Sequence, residues 1–86
     1  MKKYVKIYLD YFKKQPHEVM CEVCGHLAVD VHHIDPKGMG GSDSKDTIDN
    51  LCALCRRHHD DCHAYRIPKD YIKKLHLDNM QYKGEQ

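Results

Sequence analysis

Between Lys2 and Lys14 the apolar positions Tyr4, Ile7, Tyr8, Tyr11 and Phe12 recur at intervals of three and four. That is the period of a helix burying one stripe. It predicts an N-terminal helix over 1–16, stopped by Pro16. From Leu27 to Ile34 the period changes to two, with Leu27, Val29 and Val31 alternating with Ala28, Asp30 and His32. A strand with one buried side is therefore expected. Residues 48–54 can form a second short strand, followed by a helix from about Cys55 to Tyr65. Pro68 suits the first turn of a last helix over 68–82, with Ile72, Leu75 and Met80 inward and Lys69, Lys73 and Lys74 in water. The tail from Asn79 onward is expected to fray. Between the strands, residues 35–49 carry Pro36, Gly38, Gly40, Gly41, Ser42 and Ser44, a loop of a length that is uncommon without a functional reason. The pattern as a whole predicts a small α+β fold in one domain over 1–86.

A chain of 86 residues, 41 % hydrophobic and without Trp, has room for a single core whose apolar burial barely offsets chain entropy. A second source of stability is expected. Five Cys and eight His are present, gathered between Cys21 and His63. The odd cysteine count and the interleaved histidines favour metal ligation over disulfides. Lys plus Arg number 14 against 13 Asp plus Glu, a net +1, which excludes whole-molecule attraction to nucleic acid or membrane and leaves only a local basic face. No apolar run approaches the roughly 18 residues of a membrane span. The start Met1-Lys2-Lys3-Tyr4 leads into aromatic and charged residues rather than a signal-peptide core, so a cytoplasmic protein without a membrane partner is expected. Lys37 precedes the glycines instead of following them, which removes a phosphate-cradling P-loop.

Cys21-Glu22-Val23-Cys24-Gly25 reads as a tight metal-binding knuckle, two thiolates three apart with Gly directly after. On a helix beginning at Cys55, the residues Cys55, His58 and Cys62 share one stripe, and His59 and His63 share the next. A closed tetrahedral site needs two ligands beyond Cys21 and Cys24. Cys55 with His58 is favoured, because helix entry at Cys55 puts both on one face; Cys52, in the strand, is the competing ligand and otherwise a small buried side chain, with Cys62 behind it. The pair His59 and His63, spaced by four, can grip a second ion in an open site, and His32-His33 sits on the strand that would face them.

The ordered run Val31-His32-His33-Ile34, Pro36, Gly38-Met39-Gly40-Gly41, Asn50-Leu51, Leu54-Cys55-Arg56-Arg57-His58-His59 and His63 resembles the HNH (His-Asn-His) endonucleases. The resemblance covers roughly Cys21 to His63. It implies a ββα-metal core with a zinc-binding knuckle over 21–65, flanked by the N- and C-terminal helices. It also implies a Cys3His structural zinc site of Cys21, Cys24, Cys55 and His58, with His58 standing where many members have a last cysteine.

On that resemblance His33 matches the general base, since a neutral imidazole can accept a proton at neutral pH. Asn50 matches the residue whose amide would hold the imidazole of His33. His32, His59 and His63 match the ligands of a catalytic divalent ion, Mg2+, Mn2+ or Ni2+. Adjacent strand residues point to opposite faces, so His32 and His33 share a site only where the strand ends or bulges. The implied activity is hydrolysis of DNA phosphodiester bonds in a bacterial or phage-encoded protein. DNA would be held through Lys37, Arg56 and Arg57, with Arg66 and Lys69 nearby, by salt-sensitive phosphate contacts that read little sequence. The alternative is a zinc-stabilised HNH-like module that binds DNA or a protein without cutting. Assembly is open between the chain alone, a homodimer and a larger protein partner. His17, His26 and His76 are expected in surface or local turn contacts, and Asp30 at the surface or bracing His32.

Overall fold

The computed structural model describes residues 2–36 and 45–84, the side chains of 82–84 excepted. The chain order is α1 (Lys3–Phe12), β1 (Asp30–His33), β2 (Leu51–Leu54), α2 (Arg56–His63) and α3 (Lys69–Gly84), with 3-10 turns at Pro16–Glu18 and Ile48–Asn50. Among the described residues this is a small α+β arrangement of three helices and one two-stranded antiparallel sheet, compatible with a ββα core.

Helix α1 forms where the apolar stripe predicts and buries Tyr8 and Leu9. It ends before Pro16, because Lys13 turns left-handed at φ 55° and the Lys14 N–H closes onto the Leu9 carbonyl. Pro16 instead opens the following 3-10 turn. The sheet is shorter than its alternating pattern. β1 begins only at Asp30, and Leu27 and Val29, expected inward, are each 56 % exposed. Leu27 makes an isolated bridge to Met20 that closes the cysteine knuckle instead of extending the sheet. In β2 all four residues are buried, because both faces of the sheet are covered. Leu51 and Ala53 join Tyr8, Leu9 and Val31 in one core cluster, while Cys52 and Leu54 join Cys21, Ile34 and Ile72 in the other.

The last helix corrects two expectations. It continues to Gly84 rather than fraying from Asn79, whose Nδ2 donates to Glu22 Oε1 at 2.8 Å. His76, expected at the surface, is wholly buried. Its Nδ1 lies 2.9 Å from Glu22 Oε1 and its Nε2 faces the Ile48 carbonyl. The ring thus bridges the Glu22 carboxylate and a backbone carbonyl. Tyr8 donates to Glu22 Oε2 at 2.7 Å, as does the Ala53 N–H at 3.2 Å. One buried carboxylate thus ties α1, β2 and α3 to the knuckle. His76 and Asn79 follow Ile72 by four and seven positions on one helical stripe, which is the sequence signal that could have placed them inward. No helix among the described residues is long and apolar enough to cross a membrane.

Candidate metal centres and nuclease site

Cys21, Cys24, Cys55 and His58 bring one ligand atom each within 4.8 Å of one another. The knuckle is shaped by Gly25 at φ 82°, whose N–H bonds the Cys21 carbonyl at 2.9 Å; a side chain would be strained there. Cys55 stands at the N-cap of α2, one residue before the helix, so His58 lies one turn beyond it on the same face. The separations are 3.7 Å for Cys24 Sγ to Cys55 Sγ, 3.6 Å for Cys21 Sγ to His58 Nδ1 and 3.3 Å for Cys55 Sγ to His58 Nδ1. Ligands about 2.3 Å (S) and 2.0 Å (N) from one tetrahedral ion would be spaced about 3.5–3.8 Å. The cluster can therefore hold a metal such as zinc. The backbone N–H of His58, aided by the His58 ring and the neighbouring sulfurs, lowers the Cys55 thiol to about 6, favouring the thiolate that binds metal.

The competing cysteines lie elsewhere. Cys52 is fully buried in β2 and its thiol is pushed up, chiefly by burial and then by the Glu22 carboxylate. Cys62 packs at the edge of the second core cluster. His26 makes a local contact, its Nδ1 3.1 Å from Cys24 Sγ.

The second group comprises His32, His59 and His63, again with ligand atoms within 4.8 Å. His32 pairs with Cys52 across the sheet and so faces α2. Its ring centroid lies 5.4 Å from that of His59 and 5.3 Å from that of His63, and the Nε2 atoms of His59 and His63 are 3.1 Å apart. Burial, followed by the neighbouring His59, His63 and His33 rings, pushes His32 down to about 4, so at neutral pH its nitrogen lone pair is available. Three imidazoles converging on one point suit a borderline divalent cation. Asp30, next to this group, sits 3.7 Å from His59 Nε2, and its charge also acts on His32, partly opposing the downward shift.

His33 is the last residue of β1, and the pairing contains no bulge. It therefore lies on the face opposite to His32, against Tyr4 of α1 with ring centroids 4.5 Å apart. Because the strand ends there, both histidines line one cleft of about 650 Å³, shared with Tyr4, His59, His63 and Lys69.

Asn50 does not hold the His33 ring as expected. Its Oδ1 accepts the Asp35 N–H at 2.8 Å, and its Nδ2 donates to the Asp35 and Lys45 carbonyls, both at 3.0 Å. It clamps the two ends of the interstrand loop. The ring contact is made by Asp46, whose Oδ1 is 2.8 Å from His33 Nε2, a residue that sequence reasoning missed among the other polar loop positions.

Among the described residues the basic side chains do not form one patch. Arg56 and Arg57 line a groove beside the cysteine cluster, with Leu27, Val29 and His58, and not the histidine cleft. Arg66 pairs with Asp61 at 3.2 Å and Lys69 with Asp35 at 2.7 Å. Lys37 lies outside the described residues.

No protein-family profile matches the chain. No solved structure matches it. Among curated proteins the chain is similar to the type IV methyl-directed restriction enzyme EcoKMcrA of Escherichia coli (strain K12), 33 % identical over 69 residues, with 69 % of this chain covered. The chain spans 24 % of that relative's length.

Proposed function

We propose that this chain is a metal-dependent HNH-type endonuclease that hydrolyses DNA phosphodiester bonds, with its fold locked by zinc on Cys21, Cys24, Cys55 and His58. The observation that carries the reading is the convergence of His32 from β1 with His59 and His63 from α2, in the cleft that His33 also lines. The similarity to a restriction enzyme supports the same reaction class.

In this reading His33 accepts a proton from a water, the water oxygen bonds to phosphorus, and the bond from phosphorus to O3′ breaks. The products are a 5′-phosphate and a 3′ oxygen that takes up a proton from solvent. A divalent ion on His32, His59 and His63, such as Mg2+, Mn2+ or Ni2+, would supply charge relief at the phosphate and the departing oxygen. Asn50 contributes by fixing the chain directions at Asp35 and Lys45, next to His33 and Asp46. Arg56 and Arg57, beside the cysteine cluster, would hold backbone phosphates away from the cut, as non-specific, salt-sensitive contacts, and Lys37 is proposed for the same role from the sequence alone.

Plasmid nicking tests the reading, with the zinc-loaded protein supplied with each of the three ions in turn. The parent is expected to nick and His33→Ala to lose at least roughly 100-fold in rate, with unchanged zinc content. Equal cutting by both proteins would overturn the assignment of the base. A parent that shifts DNA in a gel but never cuts it would favour a zinc-stabilised binding module instead.

A further inference from the structure

Asp46 and His33 form a pair that the metal centres do not require. The Asp46 side chain is 3 % exposed and that of His33 15 %, and the 2.8 Å contact runs from Oδ1 to Nε2. On its other side the His33 ring packs edge-on against Tyr4. Asn50 holds the Lys45 carbonyl, immediately before Asp46, so the carboxylate is presented by a clamped backbone and not by a loose loop.

An ionised carboxylate only accepts hydrogen bonds. The hydrogen of a neutral His33 must therefore sit on Nε2, which leaves Nδ1 as the bare nitrogen. An unanchored imidazole would divide between two tautomers and turn about its side-chain bonds.

We propose that Asp46 is the positioning residue of the site: it fixes the tautomer and orientation of His33, so that Nδ1 is the base. The proposal rests on the nuclease reading for its catalytic consequence, while the tautomer it sets is a property of the protein whether or not DNA is cut.

Two measurements on the zinc-loaded full chain test it. In the first, kcat and KM are measured with Mn2+ and a short labelled duplex for the parent, Asp46→Asn and Asp46→Glu. Asp46→Asn keeps the size but can donate as well as accept. Its kcat is expected to fall roughly 10- to 100-fold with KM within about twofold, and Asp46→Glu is expected to recover part of the loss. In the second, the imidazole nitrogen-15 shifts of His33 are recorded without Mn2+ at about pH 8, where an ordinary imidazole is neutral. The parent is expected to show a single Nε2–H tautomer and Asp46→Asn a mixture.

Parental kcat in Asp46→Asn, or identical His33 shifts in the two proteins, would overturn the proposal. So would a loss of zinc and of thermal stability in Asp46→Asn matching its loss of activity, which would assign Asp46 to the fold. A parent that cuts nothing ends the nuclease reading, and the nitrogen shifts then still decide whether Asp46 sets the tautomer.

Discussion

Glu22 sits in sequence between two cysteines of the candidate metal cluster, yet its carboxylate serves the core. Burial by itself raises its pKa, but the hydrogen bond and charge of His76, then the bonds from Asn79 and Tyr8, outweigh that and leave it below the ordinary 4.5. The Tyr8 phenol is pushed the other way, by burial and then by Glu22, and stays a neutral donor. A carboxyl whose folded value lies below its unfolded one stabilises the fold at pH above about 4.5, and that contribution is lost as pH falls through the folded value. Glu22→Gln is expected to cost about 3 kcal/mol at neutral pH, the penalty for removing one partner of a buried ion pair. Thermal melts of both proteins with zinc, at stepped pH, should show the gap between them narrowing below pH ~4.5. A gap that stays constant through this range would mean that the Glu22 charge contributes nothing.

At the level of elements, the boundary between β2 and α2 separates the two candidates for the fourth ligand. Cys52 and His58 each stand three positions from Cys55, but Cys52 falls inside a strand covered on both faces, while His58 lies one turn into the helix that Cys55 caps. Cys55→Ala is expected to lose zinc and to melt without a cooperative transition. Cys52→Ala should retain one zinc and lose only about 1 kcal/mol for the small cavity. Metal analysis beside calorimetry distinguishes them, and zinc lost from Cys52→Ala would reverse the ligand assignment. The same helix also carries His59 and His63, so seating its first turn on the knuckle aims its second face at His32.

At the scale of the molecule, the core of the described residues is two modest clusters joined through one short sheet and one buried ionic network. For so small a domain the metal is expected to be a condition of folding. Chelation should abolish helical circular dichroism, and zinc, but not magnesium, should restore it. His59→Ala, by contrast, removes a cleft-side imidazole and is expected to change the melting free energy by no more than about 1 kcal/mol. A chelated chain that keeps its full melting transition would show that the core suffices alone.

The helices α1, α2 and α3 and the cysteine knuckle were legible from spacing, because a period of 3.6 and a Cys-x-x-Cys turn are local geometry, whereas the full set of Cys21, Cys24, Cys55 and His58 and the trio of His32, His59 and His63 were implied by the resemblance to the HNH endonucleases. The strand length, the burial of His76 and the partner of His33 were not legible. Leu27 and Val29 have strand spacing but no layer over them, and only long-range packing determines that. Glu22, His76 and Asn79 meet across more than fifty positions of chain, and Asp46 reaches His33 because Asn50 draws the loop ends together. Residue order alone thus supplied the candidate cysteines and histidines without choosing between Cys52 and His58. The tertiary structure decided which polar side chains face each other in a dry interior, because a buried donor or acceptor takes whatever partner the packing presents.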